Sequence, residues 1–128
     1  MDFFIYICSI MKDIYVKIFE DTERIYQERD TMPVSVKKNK YSRIPNNPKT
    51  GCNIYVKNLD CIQETLYLSK SGKTLLLNMA SYKRPGGVRN GARAQEECLF
   101  RCSNLIQVVP NSFYPLKENE ALYTKDVI

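Results

Sequence analysis

Residues 53–78, NIYVKNLDCIQETLYLSKSGKTLLLN, decide how this chain is read. Their first five residues, NIYVK, are rich in β-branched and aromatic side chains and predict a strand over 53–57. Asn58 or Asp60 is placed to cap a helix over 61–70, whose apolar face carries Ile62, Leu66 and Tyr67, and Ser71 with Gly72 ends it. TLLLN, residues 74–78, holds three consecutive leucines, the mark of a strand buried on both faces. Strand, helix and strand in this order form a β-α-β unit, which predicts an α/β fold with a sheet that is at least partly parallel.

Before this unit, residues 12–29 have helical spacing. Ile14, Ile18 and Ile25 form one apolar series and Tyr15, Phe19 and Tyr26 another, with Asp, Glu, Lys and Arg between them. The apolar stretch before it, MDFFIYICSIM, has Asp2 where a signal peptide needs positive charge, so it reads as a docking strand or the start of a helix. Residues 31–51 carry Pro33, Pro45 and Pro48 with the basic group Lys37, Lys38, Lys40 and Arg43, and read as a connection. That charge run is either a solvated segment or a patch for nucleic acid.

After the unit, residues 79–93 form a polar loop containing Gly86, Gly87 and Gly91. A helix over 94–105 follows, with Cys98, Leu99, Cys102 and Leu105 on its apolar side, and then a loop-like tail with one candidate strand beginning at Asp126. A loop at the carboxyl end of a buried strand, leading into a helix, is where open α/β sheets bind ligands.

Composition narrows the chemistry. At 128 residues the chain has a one-domain length. It contains no histidine, which excludes His-based zinc sites and Ser-His or Cys-His catalysis within the chain. No apolar run approaches the roughly 20 residues of a membrane span. A net charge of +5 suits an anionic partner but also serves plain solubility. Five cysteines, odd in number and irregularly spaced, read as reduced thiols rather than a disulfide framework. A reducing compartment follows, the cytoplasm or the nucleus, with no membrane partner.

Three features meet at the loop–helix junction. Gly86 and Gly87 let the backbone come close to a ligand and adopt positive φ. The helix amino terminus offers unpaired N–H groups to a phosphate. Arg84, Arg89 and Arg93 add positive charge. A diphosphate fits such a cradle, although the glycine spacing matches neither a dinucleotide fingerprint nor a P-loop. The segment Gln95, Glu96, Glu97 opens the helix. Acids there are favoured by the helix dipole alone, at about 0.3–1 kcal/mol each. Alternatively, vicinal carboxylates beside a bound anion keep one proton near neutral pH, as glycoside cleavage requires.

The stretch NMASYKRPGGVRNGARAQEECLFRCSNL, residues 78–105, closely resembles the signature of the microbial-type poly(ADP-ribose) glycohydrolases. The helix over 18–28, the segment from Ile54 to Asn78 and the terminal SFYPLKENEALYTKDVI are similar to that family's linear order. The resemblance implies a macrodomain-like α/β/α three-layer core with a mixed sheet, preceded by an amino-terminal helix. Residues 1–51 would be the helical extension and basic loop, and residues 52–128 the amino-terminal part of the catalytic domain. It implies Glu97 as the acid that protonates the leaving ribose oxygen, and Glu96 as the neighbour that holds ribose hydroxyls. It also implies that Gly86, Gly87 and Val88 form the diphosphate loop, and that Gln95 and Asn78 line the substrate site. The substrate would be poly(ADP-ribose) or ADP-ribosylated protein, with no metal and no cofactor. The family's third consecutive glycine is Val88 here, which predicts a reshaped loop, since β-branched residues resist positive φ. The chain resembles only the first part of the family's domain, so a second polypeptide completing it is expected. Two other readings remain beside the enzyme: an ADP-ribose-binding module without turnover, and a basic interaction protein for nucleic acid.

Overall fold

In the computed structural model, residues 2–28, 34–38 and 51–127 are described, with side chains of the first helix from Met11 onward. The elements in order are helix α1 (Asp2–Gln27), strand β1 (Ser35–Lys38), helix α2 (Cys61–Ser69), a 3-10 turn (Val88–Asn90), helix α3 (Gln95–Cys102), helix α4 (Leu105–Val108), a second 3-10 turn (Asn111–Phe113) and strand β2 (Ala121–Thr124). They divide between two compact units, residues 1–40 with 78–128, and residues 41–77. Among the described residues no helix is long and apolar enough to cross a membrane.

The larger unit is built on α1. Its helix begins within the apolar stretch at the amino terminus, one of the two roles expected for it. Of its two apolar series, the aromatic one turns inward: Phe19 is 1% exposed and Tyr15 and Tyr26 are partly covered. Ile14, Ile18 and Ile25 remain exposed. α1 packs against α3 and the 3-10 turn at Val88, and Phe19, Val88, Leu99, Phe100, Leu105 and Val108 form the core. Gly91, at φ 70°, lies so close to α1 that an added Cβ would meet Lys12 Cγ at 2.6 Å and the Lys12 carbonyl at 3.0 Å. Thr22 donates its hydroxyl to the Arg101 carbonyl at 2.5 Å, and Gln107 Nε2 reaches the Glu23 carbonyl at 3.2 Å.

The helix expected over 94–105 is broken after Cys102. Ser103 is extended, at φ −152°, and its hydroxyl donates to the Leu99 carbonyl while accepting from the Leu105 N–H. A serine that supplies its own local hydrogen bonds competes with helix continuation in this way. Leu99 is buried, as expected, whereas Cys102 is exposed.

The expected β-α-β unit is not formed among the described residues. Neither 53–57 nor 74–78 is a strand, and Ile54, Val56, Leu75 and Leu77 are 85%, 95%, 78% and 77% exposed. An apolar segment becomes a strand only when a neighbour takes up its backbone donors and acceptors, and these segments join no described ladder. α2 forms as expected, capped by Asp60, which accepts from the N–H groups of Ile62 and Gln63 at 3.0 Å each. Its apolar residues Leu66 and Tyr67 are exposed.

The described sheet is antiparallel rather than parallel, pairing β1 with β2 so that Ser35 faces Thr124 and Lys38 faces Ala121. β1 falls where only a connection was expected, because two of its four residues are lysines. Its partners compensate: Lys37 Nζ donates to the Phe113 carbonyl at 3.0 Å and pairs with Glu120 at 2.8 Å. The strand expected from Asp126 lies earlier, at β2, and Asp126 itself has φ 56°, a turn conformation. Of the basic group, Lys40 and Arg43 lie outside the described residues.

The two series on α1 give opposite expectations. Phe19→Ala should cost roughly 3–5 kcal/mol of unfolding free energy, the range for a buried aromatic, and Ile18→Ala within about 0.5 kcal/mol. Urea titrations of the two variants measure the difference.

Candidate active site

The loop entering α3 places both glutamates under the backbone of Gly86 and Gly87. Glu96 and Glu97 are 3% and 7% exposed, although they occupy the first turn of a helix, where side chains are commonly solvated. Gly87 N–H donates to Glu97 Oε1 at 2.9 Å. An added Cβ on Gly86 would fall inside contact distance of Glu97 Oε1 and 2.8 Å from Glu96 Oε2. Gly86 is therefore required by close approach. The positive-φ glycine is Gly91, not Gly86 or Gly87; Gly87 has φ −87° and its Cβ would find only ordinary contact with Ala92.

Glu96 is held by two donors. Asn78 Nδ2 donates to Glu96 Oε1 at 3.1 Å, and the Gly86 backbone supplies the second. Burial pushes the Glu96 carboxyl above its ordinary value; the Asn78 and Gly86 donors oppose this, and the charge of Glu97 adds to it. Tyr114 stands close enough to feel Glu96, so that burial and then this charge push its phenol up. The other side of the pair is open-handed. Glu97 Oε2 and Asn78 Oδ1 are both buried with no hydrogen-bond partner. Buried acceptors are rarely left so in folded proteins, and a ligand carrying hydroxyl donors would satisfy both.

The remaining expected site residues fall in different places. Gln95 Oε1 accepts from the Met79 N–H at 2.6 Å, which fixes the backbone next to Asn78. Val88 is fully buried in the core, sits in the 3-10 turn and does not have positive φ, so its β-branched side chain meets no backbone strain there. Arg89 grips Glu23 with both terminal nitrogens, and Arg93 lies 5.9 Å over the Tyr15 ring. Arg84 and Arg89 both line a cavity of about 310 Å³, with Gly86, Gly87, Asn90 and Ile106. Lys37, part of the basic group considered for nucleic acid, is taken up by Glu120 and the Phe113 carbonyl.

Two residues near the site were not singled out from sequence. Tyr114 had only the family-like tail as a signal. Arg101, 7% exposed, closes the loop from behind: it donates to the Ala92 carbonyl at 2.7 Å and stacks 4.7 Å over Tyr15. A lone arginine at a helix end gives no sequence signal for such a role.

The model of the microbial-type PARG catalytic domain, PARG being poly(ADP-ribose) glycohydrolase, matches residues 8–128, which takes in α1 from Cys8 onward. No match is found among curated proteins or among solved structures.

The raised Glu96 carboxyl gives a pH-dependent expectation. Its proton is held in the folded protein at pH values where the unfolded chain has released it. The resulting stability is fully present below the ordinary carboxylate value and is lost as pH rises through the folded one. Glu96→Gln, which cannot ionise, should raise the urea midpoint at neutral pH, with the gain shrinking as pH falls through the folded value and gone below about pH 4. A gain of equal size at both ends of a pH series would assign it to packing.

Proposed function

The chain belongs to the microbial-type poly(ADP-ribose) glycohydrolase family, and we propose that it cleaves the ribose–ribose O-glycosidic bonds of ADP-ribose polymers by glutamate general acid catalysis. The observation that carries this reading is the pair of buried, unpartnered acceptors, Glu97 Oε2 and Asn78 Oδ1, on either side of Glu96. Ribose presents hydroxyl donors, and the scissile oxygen needs a proton from a carboxyl group. Glu97, with Oε1 pinned by Gly87 and Oε2 without a partner, supplies that proton as the C–O bond breaks and an oxocarbenium-like centre develops. Water then attacks the anomeric carbon and returns its proton to Glu97. Glu96 and Asn78 hold the ribose, and the arginine side of the loop, at Arg84 with Gly86 and Gly87, takes the diphosphate. A pure ADP-ribose reader has no use for two buried carboxylates, whose desolvation is costly.

Glu97→Gln should lower release of ADP-ribose from polymer by roughly 10²–10⁴-fold, with ADP-ribose binding retained because the amide keeps the shape. Hydrolysis by the variant at the wild-type rate would move the acid to another residue. Equal binding by both forms with no turnover by either would favour the binding module.

We also propose that residues 52–128 are the amino-terminal part of a macrodomain-like α/β/α catalytic domain, with residues 1–51 as its extension. A further polypeptide segment would cover residues 53–57 and 74–78. Support comes from the exposure of Ile54, Val56 and Leu75, which have strand-forming side chains and join no ladder among the described residues. By native-state hydrogen exchange, the amides of these three residues in the isolated chain should exchange at close to unfolded rates. Strong protection there would mean that the sheet is already paired and would remove the proposal.

A further inference from the structure

The 3-10 turn carrying Arg89 lies between the site and α1. On one side its geometry is tight: Asn90 N–H donates to the Gly87 carbonyl at 2.9 Å, Gly91 N–H to the Val88 carbonyl at 3.0 Å, and Ala92 N–H to the Gly87 carbonyl at 3.3 Å. Gly87 is thus bound through its carbonyl to the turn and through its N–H to Glu97 Oε1. Whatever fixes the turn therefore fixes the direction of the donor that holds Glu97.

On the other side, the turn is fixed by Glu23. The Arg89 guanidinium meets both Glu23 oxygens, at 2.8 and 2.6 Å, and lies 5.0 Å over the ring of the buried Phe19. Two parallel bonds and a stacked face leave the guanidinium little freedom. The Arg89 side chain is 64% exposed, so the pair adds little stability in itself. Its contribution is geometric. Glu23 is also braced, since its carbonyl accepts from Gln107.

We propose that Glu23 is a positioning residue for Glu97, acting through Arg89 and the turn to keep the Gly87 N–H on the carboxylate. The proposal rests on the reading of Glu97 as the acid. Nothing in the sequence pattern marks Glu23, which is one of several charged residues between the apolar positions of α1. Without its partner, Arg89 is released into the cavity that it lines with Arg84, where it adds a cation for the anionic substrate. Loss of Glu23 is therefore expected to lower turnover without weakening binding, a combination that general loosening of the fold would not produce.

The full chain is compared as wild type, Glu23→Gln, Glu23→Ala and the exchanged pair Glu23→Arg with Arg89→Glu. Proton–nitrogen NMR reads exchange protection of the Gly87 amide, and polymer hydrolysis gives kcat and KM separately. Protection of Gly87 should fall at least about tenfold in Glu23→Ala. kcat should drop by roughly 10–10²-fold, the scale for a misplaced catalytic group, with KM unchanged or lower. The exchanged pair should recover Gly87 protection. If Glu23→Ala does not fold, Glu23→Gln, which keeps the shape but loses the charge, decides on the same readouts. Wild-type Gly87 protection in a folded single variant overturns the proposal. If the wild type shows no hydrolysis, the Gly87 amide alone decides whether Glu23 governs the turn, and the reading of Glu97 is decided by Glu97→Gln once the covering segment is supplied.

Discussion

The hydrogen bond from the Gly87 N–H to Glu97 Oε1 is the contact on which the site depends. It forms only because Gly86, next to it, has no Cβ to collide with the two carboxylates. Two adjacent acids are brought out of water against bare backbone, and the donors they meet come from the loop and from the Asn78 amide. The loop carries the hydrogen bonds of its own turn and is set against the fold from outside. Its shape comes from α1 through Phe19, Thr22 and Glu23, and from Arg101 behind it.

This arrangement puts an unusual share of charge near a small core. Glu96, Glu97 and Arg101 are as buried as Leu99. Arg101 is satisfied by a carbonyl and an aromatic face rather than by a carboxylate, so it does not neutralise the glutamates. With the guanidinium kept on Tyr15, the two glutamates are left to the Gly87 N–H and the Asn78 amide.

Local elements were legible in the sequence wherever one residue's chemistry decided them. Asp60, one of two candidate caps, caps α2, and the Gln95–Glu97 run opens α3. The resemblance carried by the glycine loop and the acids agrees with the family match over residues 8–128. Less legible was everything decided by partners distant in the chain. The leucines at 75–77 look like a strand, but a strand is a property of two segments, and its neighbour was not written in them. β1, with two lysines, looks like a loop until Glu120 and the Phe113 carbonyl take up Lys37. Arg89 and Arg93 look like phosphate ligands until Glu23 and Tyr15 claim them. The glycine pair suggested positive φ, whereas the constraint at Gly86 is steric and the unusual backbone angle sits at Gly91.

The contacts that α1 and β1 make with the rest of their unit span long stretches of chain. Glu23 and Arg89 are 66 residues apart, Thr22 and Arg101 79, and Ser35 and Thr124 89. Closing loops of this length costs entropy before any contact offsets it, and topologies dominated by such pairings fold slowly. During synthesis α1 emerges first and waits, with the Phe19 face uncovered, until residues beyond 100 have left the ribosome. Glu96 and Glu97 then come into register with the glycine loop among the last events of folding, so a partly folded chain carries α1 without the contacts around the two carboxylates.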